Sequence, residues 1–208
     1  MTLLLFIACS LDEDPPADPV PAAEPSPKEQ PQKPLGWTAG GTITATSLKN
    51  GSAEVPGTLM VAGELTFADP LTLEGVDGEL SVDLMSWDSQ LELRDQRIRD
   101  TFFEVTQYSK ATFEPALFKD GSLEGQLTLH GVSKPVSVPV EVLKSEGGIA
   151  LRSTEPWVVK ISDYGMQPQL DALITLCGHE SVADEVGLMV DVRVGEAPEW
   201  PAVETEGE

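Results

Sequence analysis

The sequence predicts an all-β body, and three observations carry the prediction. Apolar and polar residues alternate over long runs, Gly and Pro punctuate the chain at hairpin-like intervals, and strands do not alternate with helices in βαβ fashion. Period-2 alternation gives a strand one dry and one wet face, which antiparallel sheets tolerate and parallel sheets rarely do. Many short strands of this kind build a sandwich or a barrel, and the pattern alone does not choose between them.

Leu80, Val82 and Leu84 alternate with Ser81 and Asp83. Leu123, Leu127 and Leu129 alternate with Glu124, Gln126 and Thr128, with Gly125 on the apolar side. Val136, Val138, Val140 and Val142 make a third run around Ser137, Pro139 and Glu141. Val186, Leu188, Val190, Val192 and Val194 make a fourth. Turns are expected at Val55-Pro56-Gly57, from Gly75 to Gly78 and at Gly147-Gly148. Pro139 has no N–H to donate and suits an edge or a bulge. One stretch breaks the pattern: Leu91, Ile98 and Phe102 fall at helical spacing within Gln90 to Phe103, predicting one short amphipathic helix placed to cap one end of a barrel.

The flanks read differently. Residues 1–9 hold an apolar run, Leu3 to Ala8, ending at Cys9. It resembles the end of a lipoprotein signal peptide, which makes Cys9 the expected lipidation site. The run is short and lacks a basic leader, so a translation start further upstream is expected. The competing reading is a frayed apolar terminus with a chance cysteine. Residues 10–35 are rich in Pro, Ala and acids and read as a disordered spacer. Residues 36–195 are the expected folded domain, and 196–208 an acidic tail. Ser10, directly after the cysteine, leans toward an outer-membrane anchor. The expected location is the periplasmic side of the bacterial cell envelope. A disulfide between Cys9 and Cys177 is disfavoured by that long spacer.

The formal net charge is −22. Eleven of the 35 acidic residues and two of the 13 basic ones lie in the flanks, so the body keeps about −13. Such a body repels phosphate backbones and excludes nucleic acid as a partner. No segment beyond the N-terminus is long and apolar enough to cross a bilayer as a helix.

Three motifs point to a family. The first is Arg94-Asp95, Arg97-Ile98-Arg99-Asp100, Phe102-Phe103-Glu104-Val105 and Tyr108. The second runs from Leu127-Thr128-Leu129-His130-Gly131 to Val136, after Gly125. The third is Ser162-Asp163-Tyr164-Gly165, followed by Asp184-Glu185-Val186. In this order and separation they resemble the YceI-like, polyisoprenoid-binding family. The resemblance implies a lipocalin-like antiparallel barrel of about eight strands enclosing an isoprenoid chain, such as a quinone or a polyprenyl phosphate. It implies no catalysis and no cofactor beyond the lipid ligand. The chain departs from the family pattern at Arg97, where His is common, in its first strands, where Trp37 and Ser52 to Val55 give only an echo, and from Gln167 to Val182. The mouth of the barrel is therefore expected to differ.

Within that frame Leu84, Trp87, Phe102, Phe103 and Phe113 are candidate ligand-lining residues, although aromatic residues also fill small β cores. Arg94 and Arg97 are candidate ligands for a phosphate head group, because arginine binds phosphate bidentately. The competing reading has Arg94, Arg97 and Arg99 paired with Asp95, Asp100 and Glu104. His130 suits a hairpin turn better than a general base, since no nucleophile with an orienting acid accompanies it. Cys177 and His179 are two residues apart, but two ligands do not make a metal site, and no metal is expected. The alternative to lipid carriage is a non-catalytic envelope protein with a filled barrel that acts through a protein partner. A homodimer is left open by the sequence.

Overall fold

The computed structural model of the chain describes residues 35–195. Among them, β1 (Leu35–Lys49), β2 (Ala53–Phe67), β3 (Asp77–Asp88), β4 (Lys110–Lys119), β5 (Ser122–Leu129), β6 (Val132–Pro139), β7 (Glu141–Ser145), β8 (Gly148–Arg152), β9 (Trp157–Lys160) and β10 (Glu185–Gly195) form one antiparallel sheet. Its order is β6-β5-β4-β3-β2-β1-β10-β8-β7, and β9 also pairs with β10. The ends of that order, β6 and β7, are consecutive in sequence with only Val140 between them. The sheet therefore curls until its two ends share a corner. The expected all-β, barrel-like architecture is present, with ten strands rather than about eight. Val140 splits the valine run Val136 to Val142 into two strands, and β8 and β9 are too short to show a period.

The alternating runs face inward as expected. Leu80, Val82 and Leu84 are buried, as are Leu123, Leu127, Leu129, Val192 and Val194. Proline sits where a missing donor is tolerated: Pro139 ends the edge strand β6, and Pro115 sits at a register shift in β4. Two hairpins turn on left-handed pairs, Asp120-Gly121 (φ 50° and 77°) and His130-Gly131 (φ 52° and 77°), whose twist matches the flanking strands.

Val55-Pro56-Gly57 is not a turn. It lies inside β2, in register with Ser47, Thr46 and Ala45, and the chain reverses earlier, at Asn50-Gly51. Gly57 serves packing instead. A Cβ there would lie 2.2 Å and 2.4 Å from two ring atoms of Trp87, so only glycine lets that indole lie on β2.

The predicted helix forms in two parts. α1 (Glu92–Arg97) runs into a π-helical turn, Ile98–Phe102, closed by the Phe103 N–H donating to the Ile98 carbonyl at 2.9 Å. Ile98 and Phe102 point into the body, but Leu91 is exposed, so the expected apolar face is only partly used. A second helix, α2 (Gln167–Cys177), was not expected. Its apolar residues Leu170, Ala172, Leu173, Ile174 and Leu176 surround the axis and give no clear stripe. Gly178, left-handed at φ 64°, ends it, and the His179 N–H donates back to the Ile174 carbonyl at 3.1 Å.

Candidate functional site

Curling leaves space between the sheet and the helices. The curl encloses a cavity of about 180 Å³, on whose wall Ser47 is the one polar residue among those described. β10 contributes Val186, Leu188, Val190 and Val192, because its inward positions recur every second residue. Leu170 and Leu173 of α2 and Ile98 and Phe102 of the π-helical turn form part of the wall. Leu84, Trp87, Phe102, Phe103 and Phe113, the aromatic and leucine candidates from the sequence, all line it. Trp87 and Phe103 meet edge to face, with ring centroids 5.8 Å apart. The Trp87 Nε1 is buried without a hydrogen-bond partner among the described residues.

A second space of about 250 Å³ adjoins the first. Ser47, Val55, Ile98, Leu173 and Val182 line both, so the two spaces are neighbours with shared walls. This vestibule carries Lys49, Arg94, Arg97 and His179, and among the described residues no acidic side chain lines it. Its basic groups come from three places in the sequence. Lys49 ends β1, the arginines lie on α1, and His179 follows α2. Asn50 holds the last of these against the first. Its side-chain oxygen accepts from the N–H groups of Glu180 (3.0 Å) and Ser181 (3.3 Å), and its own N–H donates to the Ser181 carbonyl (2.9 Å). The His179 pKa is lowered, first by burial and then by the charges of Lys49 and Arg97.

The three arginines do different work, and the competing reading that paired them with Asp95, Asp100 and Glu104 is not what the structure shows. Arg94 donates to the Ser89 hydroxyl and carbonyl, both at 2.7 Å. Asp95 is buried and accepts from the Ser89 N–H at 3.0 Å and from its hydroxyl. Together they fix the corner between β3 and α1. Arg99 donates to the Trp87 carbonyl (3.1 Å) and to Glu92 (2.8 Å). Among the described residues the Arg97 guanidinium hydrogen-bonds to the Cys177 sulfur, at 3.8 Å, and, alone of the three, to no protein oxygen.

His130 is a turn residue. Its Nε2 is 2.8 Å from a Glu104 oxygen that also accepts from Gln169 at 2.8 Å, and its ring lies 3.9 Å from that of Tyr108. The Gln169 bond, and next the His130 bond, lower the Glu104 pKa. This cluster ties α2 to the π-helical turn and to the β5–β6 hairpin. Among the described residues no group of three or more His, Cys, Asp or Glu is placed to hold a metal ion. Cys9 lies outside the described residues.

A model of the YceI-like domain matches residues 38–194, most of the chain. The chain belongs to the YceI-like domain family. Among solved structures, a polyisoprenoid binding domain from Saccharophagus degradans implicated in plant cell wall breakdown superposes with a TM-score of 0.65 at 21% identity, over 80% of this chain and all of that one. BcnA from Burkholderia cenocepacia gives 0.60 at 21% identity, over 76% of this chain and 96% of that one. At such identity the likeness shows the fold. A UPF0312 protein of Vibrio cholerae is 32% identical over 115 residues, 50% of this chain. The match spans 60% of that relative's length.

Sequence reasoning missed Lys49 and weighed His179 only as a metal ligand. Neither had a local signal. Their proximity depends on the Asn50 contacts, which join positions about 130 residues apart.

Proposed function

We propose that this YceI-like chain binds an isoprenoid-type lipid and carries or buffers it in the bacterial envelope, held there through an acylated Cys9. The observation that carries the reading is an apolar cavity adjoining a basic vestibule. A hydrocarbon chain fits the first and a polar head group the second. The open lumen weighs against a filled barrel that works only through a protein partner. The name of the Saccharophagus degradans neighbour supports the ligand class. The chain's own residues bind and shield, and no step of covalent chemistry is assigned to them.

Of the two head groups, the vestibule favours a polyprenyl phosphate over a quinone. Among the described residues the Arg97 guanidinium bonds to no protein oxygen, and it shares the vestibule wall with Lys49; such a pair suits an anion. Titration of both lipids into the parent protein and Arg97→Ala tests this. The variant should lose about tenfold or more in affinity for polyprenyl phosphate, the scale of one charge-assisted hydrogen bond, and little for quinone. Equal loss for both, or none, would contradict the head-group role.

A further inference from the structure

Leu91 and Leu93 are 55% and 59% exposed, and both line the vestibule. Leu91 precedes α1 and Leu93 lies in its first turn. Glu92, the acid between them, is paired with Arg99 at 2.8 Å. Lys49, Arg94, Arg97 and His179 share the opening. The body around it carries a net charge of about −13. This opening thus combines basic side chains and exposed leucines beside an apolar cavity.

We propose that the rim of the vestibule docks on an anionic bilayer surface, with Leu91 and Leu93 entering the boundary between head groups and acyl chains and Lys49 and Arg97 meeting lipid phosphates. Charge selects the occupant and the orientation. An acidic body is repelled by anionic lipid on its other faces, so attraction is confined to the basic mouth. Leucine beside lysine and arginine is the composition of an interfacial contact. Docking goes beyond lipid carriage and rests on that reading for its purpose: an isoprenoid could pass from bilayer to cavity without exposing its chain to water.

The test uses the full chain carrying Cys9→Ser, so that no acyl group can anchor it. Protein is co-sedimented with vesicles of phosphatidylcholine alone or of equal parts phosphatidylcholine and phosphatidylglycerol, at low and high salt. Binding of farnesyl phosphate to the same protein is measured separately in vesicle-free buffer. Sedimentation should be about tenfold greater with the anionic vesicles, should fall with salt, and should drop about tenfold in Leu91→Ser/Leu93→Ser and in Lys49→Glu. Sedimentation that ignores phosphatidylglycerol overturns the proposal, as does a double variant that sediments like its parent. A parent dimer that becomes monomeric in the double variant also overturns it, by giving the rim to a second copy. Anionic-vesicle binding without farnesyl phosphate binding would uphold docking while removing the isoprenoid reading. The reverse result would remove docking alone.

Discussion

Ala45 lies within β1, between Gly57 of β2 and Leu188 of β10, and its methyl group is part of the cavity wall. Ala45→Phe should place a ring in the lumen and occupy the volume that the proposed function gives to the ligand. At about 24 cal/mol per Å³, an empty apolar cavity of 180 Å³ corresponds to about 4 kcal/mol of packing forgone. A ligand at a hundredfold excess over its dissociation constant stabilises the folded state by about 2.7 kcal/mol. For a domain of this size each kcal/mol shifts Tm by about 2–4 °C, so the parent should gain about 5–10 °C with saturating isoprenoid. The ring recovers part of the forgone packing but crowds its neighbours at a cost of about 1–3 kcal/mol. The ligand-free variant should therefore melt within a few degrees of the parent, and its response to isoprenoid should nearly vanish. The assay is a thermal melt by circular dichroism with and without farnesyl phosphate or a short-chain quinone. A variant that responds as the parent does would refute the placement of the ligand. A parent that responds to neither lipid would refute the cavity reading itself.

Three further outcomes follow from the packing and the charges. Gly57→Ala should cost about 1–3 kcal/mol in denaturant unfolding and alter tryptophan emission, because the new methyl collides with Trp87; unchanged emission and stability would contradict that contact. Arg97→Ala should raise the pKa of His179, since Arg97 is one of the charges that lower it. Proton NMR reads this directly in a chain with two histidines, and an unmoved His179 titration would contradict the geometry. Glu104 has a lowered folded-state pKa, so its contribution to stability is present above its unfolded-state pKa and is lost as pH falls through the folded value. Glu104→Gln should flatten the acid limb of the stability–pH curve, and an acid limb identical to the parent's would show that the Gln169 and His130 contacts do not matter.

How much of this was legible in the sequence depends on the range of the interactions. The strand runs at Leu80 to Leu84 and Val186 to Val194 could be read because burial on one face of a sheet imposes a two-residue period locally. The helix near Arg94 was legible for the same local reason, but its partners were not. Arg94 and Asp95 converge on Ser89, only five and six residues away, yet nothing in the spacing distinguishes that from an ion pair. Val55-Pro56-Gly57 was misread because Gly and Pro mark turns by their backbone preferences, whereas Gly57 answers to the Trp87 ring about 30 residues later. The aromatic residues Trp87, Phe102, Phe103 and Phe113 could be read from the sequence either as pocket lining or as core filler, and all four lie on the cavity wall. Whether they fill a core or line a cavity depends on the curl of ten strands. The vestibule depends on long-range contacts, those that seat His179 beside Lys49, and leaves no trace in either segment alone.

The most direct test of the central claim is to purify the full chain from its native membranes and identify bound lipid by mass spectrometry, against a lipid-free barrel of similar size. Lipid carriage predicts an isoprenoid, with polyprenyl phosphate favoured, enriched to about one molecule per chain. An empty protein that also fails to take up added polyprenyl phosphate or quinone would contradict it.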